Sequence, residues 1–269
     1  MFLLATRAND AIYMPALLHE LNAELELGGV EAPAVWGVGF YNDDRALTIR
    51  RPTDAPLQGG LHPLAPDVQT RMLMACATRA KGGAPGPHRF RRWLFGHSGN
   101  LESLNVMRDV IAPKLPDFIR QQLSRGSAGE MAFAMVLAEL RRSGVLDDPL
   151  AAEADVRASF ARGVDAIRGL SREAPEGPVR ASFAVANGRH LAVASAGARI
   201  AMRVRNGLES LPDGPVDPAR TDFSQVVEAL KSFRAVVVAS EARGPGWEAL
   251  EDGQVIGVDG QLNVHPART

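Results

Sequence analysis

The order of apolar patterns along the chain restricts its fold more than any single motif does. Strand-like runs come first, two amphipathic helices follow, and strands return. Met1 to Arg7 opens with a continuous apolar run, which reads as a buried first strand. Val35 to Tyr41 and Ala46 to Arg50 flank the turn residues Asn42-Asp43-Asp44 and form a hairpin. Gly37 and Gly39 within the first of these predict close backbone approaches. Arg71 to Thr78 is a further strand, and Arg92 to Phe95 re-enters the core.

Helical spacing takes over at Ser127 and Glu130, which have the Ser-x-x-Glu interval of a capping box. Phe133, Val136, Leu137 and Leu140 then share a face, and Gly144 stops the helix. Asp148 and Pro149 predict the start of the next helix, whose apolar face is Val156, Phe160, Val164 and Ile167. Ala181 to Ala186 and His190 to Ser195 flank Asn187-Gly188-Arg189, a turn suited to positive φ. Ala198 to Val204 is the next strand, Val226 to Phe233 a short helix, and Ala235 to Ser240 a buried strand. Gln254 to Val258 and Gln261 to Val264 are expected to close the chain as a hairpin about Asp259-Gly260. This order lacks the strand–helix alternation of a doubly wound parallel sheet. It predicts an α+β fold of two mainly antiparallel sheets with helices outside. The Pro- and Gly-rich stretches at 52–66, 81–87 and 212–218 read as loops, so residues 1–269 are expected to form a single domain.

The net charge of −1 gives no general attraction to nucleic acid or an acidic membrane, so neither is an expected partner. Arg89, Arg91 and Arg92 form a local basic cluster that reads as a solvated strand edge. No stretch approaches the roughly 20 apolar residues of a membrane helix. The amino-terminal run has no basic residues before it and does not read as a secretory signal. Cys76 stands alone, which excludes an internal disulfide and a Cys-rich metal site. Its apolar neighbours mark it as a core thiol, and a lone cysteine fits a reducing cytoplasm. His19-Glu20 lacks a second His at helical spacing, and neither a phosphate loop nor a Gly-x-Ser-x-Gly elbow is present. No metal and no cofactor is expected. Ser195 and Ser240 read as packing residues in strands.

Five segments, in order, resemble a known family. They are the opening strand; Val35-Trp36-Gly37-Val38-Gly39-Phe40-Tyr41; Ala77-Thr78-Arg79-Ala80; His88-Arg89-Phe90 followed by Trp93 to Leu101; and Val236 to Glu241 with Gly246-Trp247. Together they resemble the class II glutamine amidotransferase domain, and within it the compact bacterial branch that includes the ergothioneine-pathway amidohydrolases. The resemblance implies the four-layer αββα sandwich of the N-terminal nucleophile hydrolases.

It also implies a site, and this chain departs from it at four positions. Family chemistry uses a thiol or hydroxyl at the residue exposed by Met removal, with its free amine as base. Phe2 has neither, so no catalytic residue is expected there. The oxyanion loop maps onto His97, Ser98 and Gly99, with Ser98 where the family has Asn. Arg79 stands where an Arg clamps the ligand carboxylate. Ala128 stands where an Asp holds the ligand amine, and Ala77 replaces a His. Each retained residue also has a plainer reading. Arg79 also reads as pairing with a carboxylate at a strand end, His97 as a hydrogen-bonded structural histidine, Gly99 as serving a tight turn, and His88 and Arg89 as lining a loop. Trp36, Trp93 and Trp247 read most simply as core packing.

The expected function is that of an amidotransferase-like protein without glutaminase activity, working by binding a protein partner or a small molecule. A homo-oligomer is compatible with this. The alternative is an active amidohydrolase on a glutamine-like or γ-glutamyl amide, using Cys76 or a hydroxyl as nucleophile.

Overall fold

A computed structural model describes residues 1–25, 35–51, 68–78, 86–121, 123, 126–208, 223–240 and 242–269. Arg79, and the loops expected at 52–66, 81–85 and 212–218, lie outside these residues.

Thirteen strands among the described residues form two antiparallel sheets. The first sheet contains β1 (Phe2–Ala8), β2 (Val35–Asn42), β3 (Arg45–Arg51), β4 (Met72–Thr78), β9 (Ala201–Asn206), β10 (Arg234–Ala239) and β11 (Glu248–Ala249), in the order β11-β9-β10-β1-β4-β2-β3. The second contains β5 (His88–Phe90), β6 (Trp93–Asn100), β7 (Arg180–Ala186), β8 (Leu191–Ala196), β12 (Gln254–Val258) and β13 (Val264–Arg268), in the order β13-β12-β8-β7-β6-β5.

β1 lies between β4 and β10, with Phe2 opposite Ala77 and Leu3 opposite Cys76. All seven of its residues are buried, as expected for a strand covered on both faces. One face carries Phe2, Leu4 and Ala8 into a core completed by α1 (Met14–Glu24), Trp36, Phe233 and Trp247. The other carries Leu3 and Ala5 against Leu94, Ala184 and Val193 of the second sheet. Gly96 makes this contact close: a Cβ there would stand 2.7 Å from Leu3 Cδ1 and 2.8 Å from Cys76 Sγ. The far face of the second sheet is covered by α5 (Ala128–Arg142) and α6 (Glu153–Ser171), which bury Phe133, Val136, Leu137, Phe160 and Val164 against Phe95 and Phe183. The short helices α2 (Glu102–Val106), α3 (Arg108–Ile111) and α4 (Asp117–Arg120) lead from β6 to α5. The helix α7 (Phe223–Ser232) precedes β10. The layers are therefore helix, sheet, sheet, helix.

Local signals explain most of the boundaries. The capping box of α5 forms with both bonds: the Glu130 N–H donates to Ser127 Oγ at 3.2 Å, and the Ser127 N–H donates to Glu130 Oε2 at 3.4 Å. Asn187 Oδ1 accepts the amides of Arg189 and His190, which fixes the β7–β8 turn. Ion pairs from Arg203 and Arg205 of β9 to Glu24 and Glu20 hold α1 onto its sheet.

The strands expected at Ala198–Val204 and Arg92–Phe95 run over Ala201–Asn206 and Trp93–Asn100, and two further boundaries moved for local reasons. α6 begins at Glu153 with Ala152 as its N-cap, not at Asp148. Asp148 instead turns the chain locally, its Oδ1 accepting the Leu150 N–H at 2.8 Å. The last strand begins at Val264 rather than Gln261. Asp259 accepts the amides of Gln261 and Asn263, and these bonds fold residues 259–263 into a loop that delays the return strand.

Gly37 faces the carbonyl of Gly86, and an added Cβ would stand 2.1 Å from that oxygen. Backbone cannot retreat as a flexible side-chain end can. Gly37→Ala is expected to lower unfolding free energy by about 2 kcal/mol or more, measured by urea denaturation.

Candidate functional site

The segments singled out in the sequence converge at the Phe2 end of β1. Phe2 is buried, its ring 5.8 Å from that of Trp36, and its cross-strand partner is Ala77. Side chains alternate along a strand, so the register that turns Phe2 and Ala77 to the α1-covered face turns Leu3 and Cys76 to the face between the sheets. Cys76 is fully buried there, and burial pushes its thiol up to about 12. It cannot stand in for a nucleophile at position 2, because it points to the other side of the sheet and holds its proton.

The β6 strand brings the second sheet to the same place. The Ser98 hydroxyl donates to the carbonyl of Met1. Across β1, Ser240 Oγ accepts the Leu3 N–H at 3.0 Å. Both serines thus fasten the start of β1, and Ser240 is more than the packing residue expected. Ser195 likewise donates to the carbonyl of Ala198 at 3.1 Å. Gly99 has φ +110, and a Cβ there would stand 2.3 Å from the Arg180 carbonyl, so glycine is required by the backbone alone.

His97 does not line the same side as Ser98. The β5–β6 hairpin pairs His88 with Phe95 and Phe90 with Trp93, so these four and His97 project toward α5. His88 and His97 lie parallel, ring centroids 6.2 Å apart. Gly129 of α5 packs on both: a Cβ there would stand 2.6 Å from His88 Nε2 and 3.1 Å from His97 Nδ1. Those two nitrogens are buried without a hydrogen-bond partner among the described residues. Among the described residues His97 Nδ1 therefore lacks the hydrogen bond expected of a structural histidine, and Gly129, packed on it, has no side chain to supply one. His88 was read as a loop-lining residue and is instead the partner of His97. Its signal was the two-residue period of the hairpin, visible once Phe90 and Trp93 are paired.

Burial lowers His88 to about 4, helped by Arg50. Burial lowers His97 to about 3, with His88 and the chain's amino terminus adding to the effect. Both imidazoles are neutral near pH 7. Ala128 is the first residue of α5, adjacent to Gly129, and its methyl group offers nothing to an ammonium. On the same side, Arg50, His88, Arg89, Phe90, Glu130 and Phe133 line a cavity of about 260 Å³. Arg89 is not simply solvated: it donates to the Ala46 carbonyl at 3.0 Å. Trp93 Nε1 donates to the Leu146 carbonyl and Trp247 Nε1 to Glu24, consistent with packing roles. Among the described residues no cluster of His, Cys, Asp and Glu suits a metal ion.

The sequence matches no protein-family model and no curated protein. Solved structures do match. A glutamine aminotransferase class-II domain protein from Silicibacter pomeroyi is 17% identical with a TM-score of 0.62, over 100% of this chain and 99% of that one. A predicted glutamine amidotransferase from Pseudomonas aeruginosa PA01 is 14% identical with a TM-score of 0.53, over 98% and 99%. The glutamine phosphoribosylpyrophosphate amidotransferase from B. subtilis gives 11% and 0.57, with all of this chain spanning 49% of that one. The fold is that of the class II glutamine amidotransferase domain. The expected four-layer sandwich is borne out, and the likeness at these identities concerns the fold.

The buried neutral histidines give a signed pH dependence. Both groups have lower affinity for protons when folded, so the unfolded chain binds more protons below its own His value of about 6.5. Above pH 7 both states are neutral and the histidines make stability independent of pH; as pH falls from about 6.5 toward 4 the unfolded state gains protons and stability declines. The expected loss is about 1 kcal/mol per pH unit for each histidine in that window. Urea denaturation at stepped pH checks it, and His88→Phe is expected to flatten the slope.

Proposed function

We propose that this chain is a binding protein on the class II amidotransferase fold, without glutaminase activity. The observation that carries the reading is the buried aromatic ring of Phe2 against Trp36 at the strand start where the family places its nucleophile. Three further features agree with it. The Ser98 hydroxyl is already engaged by Met1, the position for the ligand amine is Ala128, and Cys76 faces away with its thiol protonated. The fold alone does not decide function, so the argument rests on these residues.

A pocket on the α5 side is suited to holding a molecule rather than cleaving one. The cavity beside His88 combines an aromatic floor, Phe90 and Phe133, with two guanidinium groups, Arg50 and Arg89. That pairing fits a small carboxylate-bearing ligand with an apolar body. Arg79, by its place in the resemblance, is a second carboxylate clamp.

The purified chain is expected to release no ammonia from glutamine or a γ-glutamyl amide in a coupled assay. Its intact mass is expected to retain Met1. Phe2→Cys is expected to stay inactive, since it restores neither the Asn nor the Asp of the family, and to cost about 2–3 kcal/mol of stability by opening a cavity. Ammonia release by the wild type at enzymatic rates would refute the reading.

A further inference from the structure

The opposite end of the sandwich holds a second site, independent of the one just described. β1 runs from Phe2 to Arg7, about 17 Å away along an extended strand. Arg7 is a charged residue inside the fold, 8% exposed. Its Nε donates to the Asp259 carbonyl at 2.9 Å and its Nη1 to the Gly188 carbonyl at 3.3 Å. Two main-chain carbonyls hold the guanidinium in place without neutralising it. The Asp259 carboxylate is drawn the other way, accepting from Asn263 Nδ2 and meeting His265 Nε2 at 2.9 Å.

Arg7 opens onto a cavity of about 810 Å³ whose wall also carries Arg71, Arg189 and His190. Burial lowers Arg7 to about 10; Asp259 opposes this, and Arg71 and Arg189 add to it. Like charges have therefore been brought together around a buried one, an arrangement that costs free energy unless an anion joins it. His190 Nδ1 is buried without a partner among the described residues. Asp43 and Asp44, on the β2–β3 turn, form the acidic part of the wall. Three guanidiniums outnumber these two carboxylates. Gly188 and Gly260 add backbone to the lining.

We propose that this cavity binds a small phosphate monoester with a hydroxylated body: Arg7, Arg71 and Arg189 take the phosphate, and Asp43 and Asp44 accept hydrogen bonds from hydroxyls. With Asp43 and Asp44 given to the hydroxyls, the three guanidiniums meet the three oxygens and nearly two negative charges of a phosphate monoester, offering more donors than the two oxygens of a carboxylate can accept. Guanidinium groups present paired donors to phosphate oxygens. The volume lies within the usual range for small-molecule sites. Arg7 supplies the fixed, buried anchor, while Arg71 and Arg189 are exposed at the rim, Arg189 donating to the Pro149 carbonyl at 3.1 Å.

Isothermal titration of the full chain with ribose 5-phosphate tests this, with ribose as the control. Ribose 5-phosphate is expected to bind and ribose to give no heat. Arg71→Gln and Arg189→Gln sit on the surface, so the fold should survive them, and each is expected to weaken binding about tenfold. Amide resonances of Gly188 and Gly260 are expected to shift on addition of ribose 5-phosphate. No heat with ribose 5-phosphate, equal binding of ribose, or unchanged affinity in both variants would overturn the proposal. None of these outcomes bears on glutaminase activity, so this site and the Phe2 site stand or fall separately.

Discussion

The structure depends on β1 being covered on both faces. A strand at the centre of one sheet, packed beneath α1 and above the second sheet, leaves no side chain free to face water. Its position is fixed by contacts from distant parts of the chain: Cys76 and Ala77 beside it, Ser240 on the Leu3 amide, and Ser98 from the opposing sheet on Met1. The close approach at Gly96 follows from the same demand, since the opposing sheet must interlock tightly with a strand buried against it. At the start of this strand the Phe2 ring completes a core with Trp36.

The two ends of β1 show opposite uses of burial. At the Phe2 end burial removes charge, leaving an apolar ring, a protonated thiol and two neutral imidazoles. At the Arg7 end burial retains charge, because main-chain carbonyls hold a guanidinium beside an open cavity. A single strand thus has an uncharged end and a charged one.

Much of the fold was legible in the sequence because its signals are local. The Ser127–Glu130 box, the Asn187-Gly188 turn and the apolar alternation near Gly37 and Gly39 each act within a few residues, and each formed as read. The errors came where one local device mimicked another. Asp148 makes a turn that resembles a helix cap, and Asp259 gathers amides that a hairpin of shorter loop would have paired. The site was legible only in part. Motif order singled out the segments that meet there, but the divergence of His97 and Ser98 to opposite faces needed the β5–β6 register. The Arg7 cavity was invisible, since Arg7, Arg71 and Arg189 are far apart in sequence and meet only through the sheets.

The margins of the second sheet bear on self-association. One border strand, β5, has three residues; the other, β13, carries Pro266, which has no amide proton to offer, and ends at Arg268. Pro266 gives its carbonyl to Arg157 at 3.1 Å. Short or interrupted borders are poor templates for a neighbouring chain, and they protect a protein this rich in β-structure from growing edge to edge into fibres. Along these two borders, at least, the second sheet stays finite.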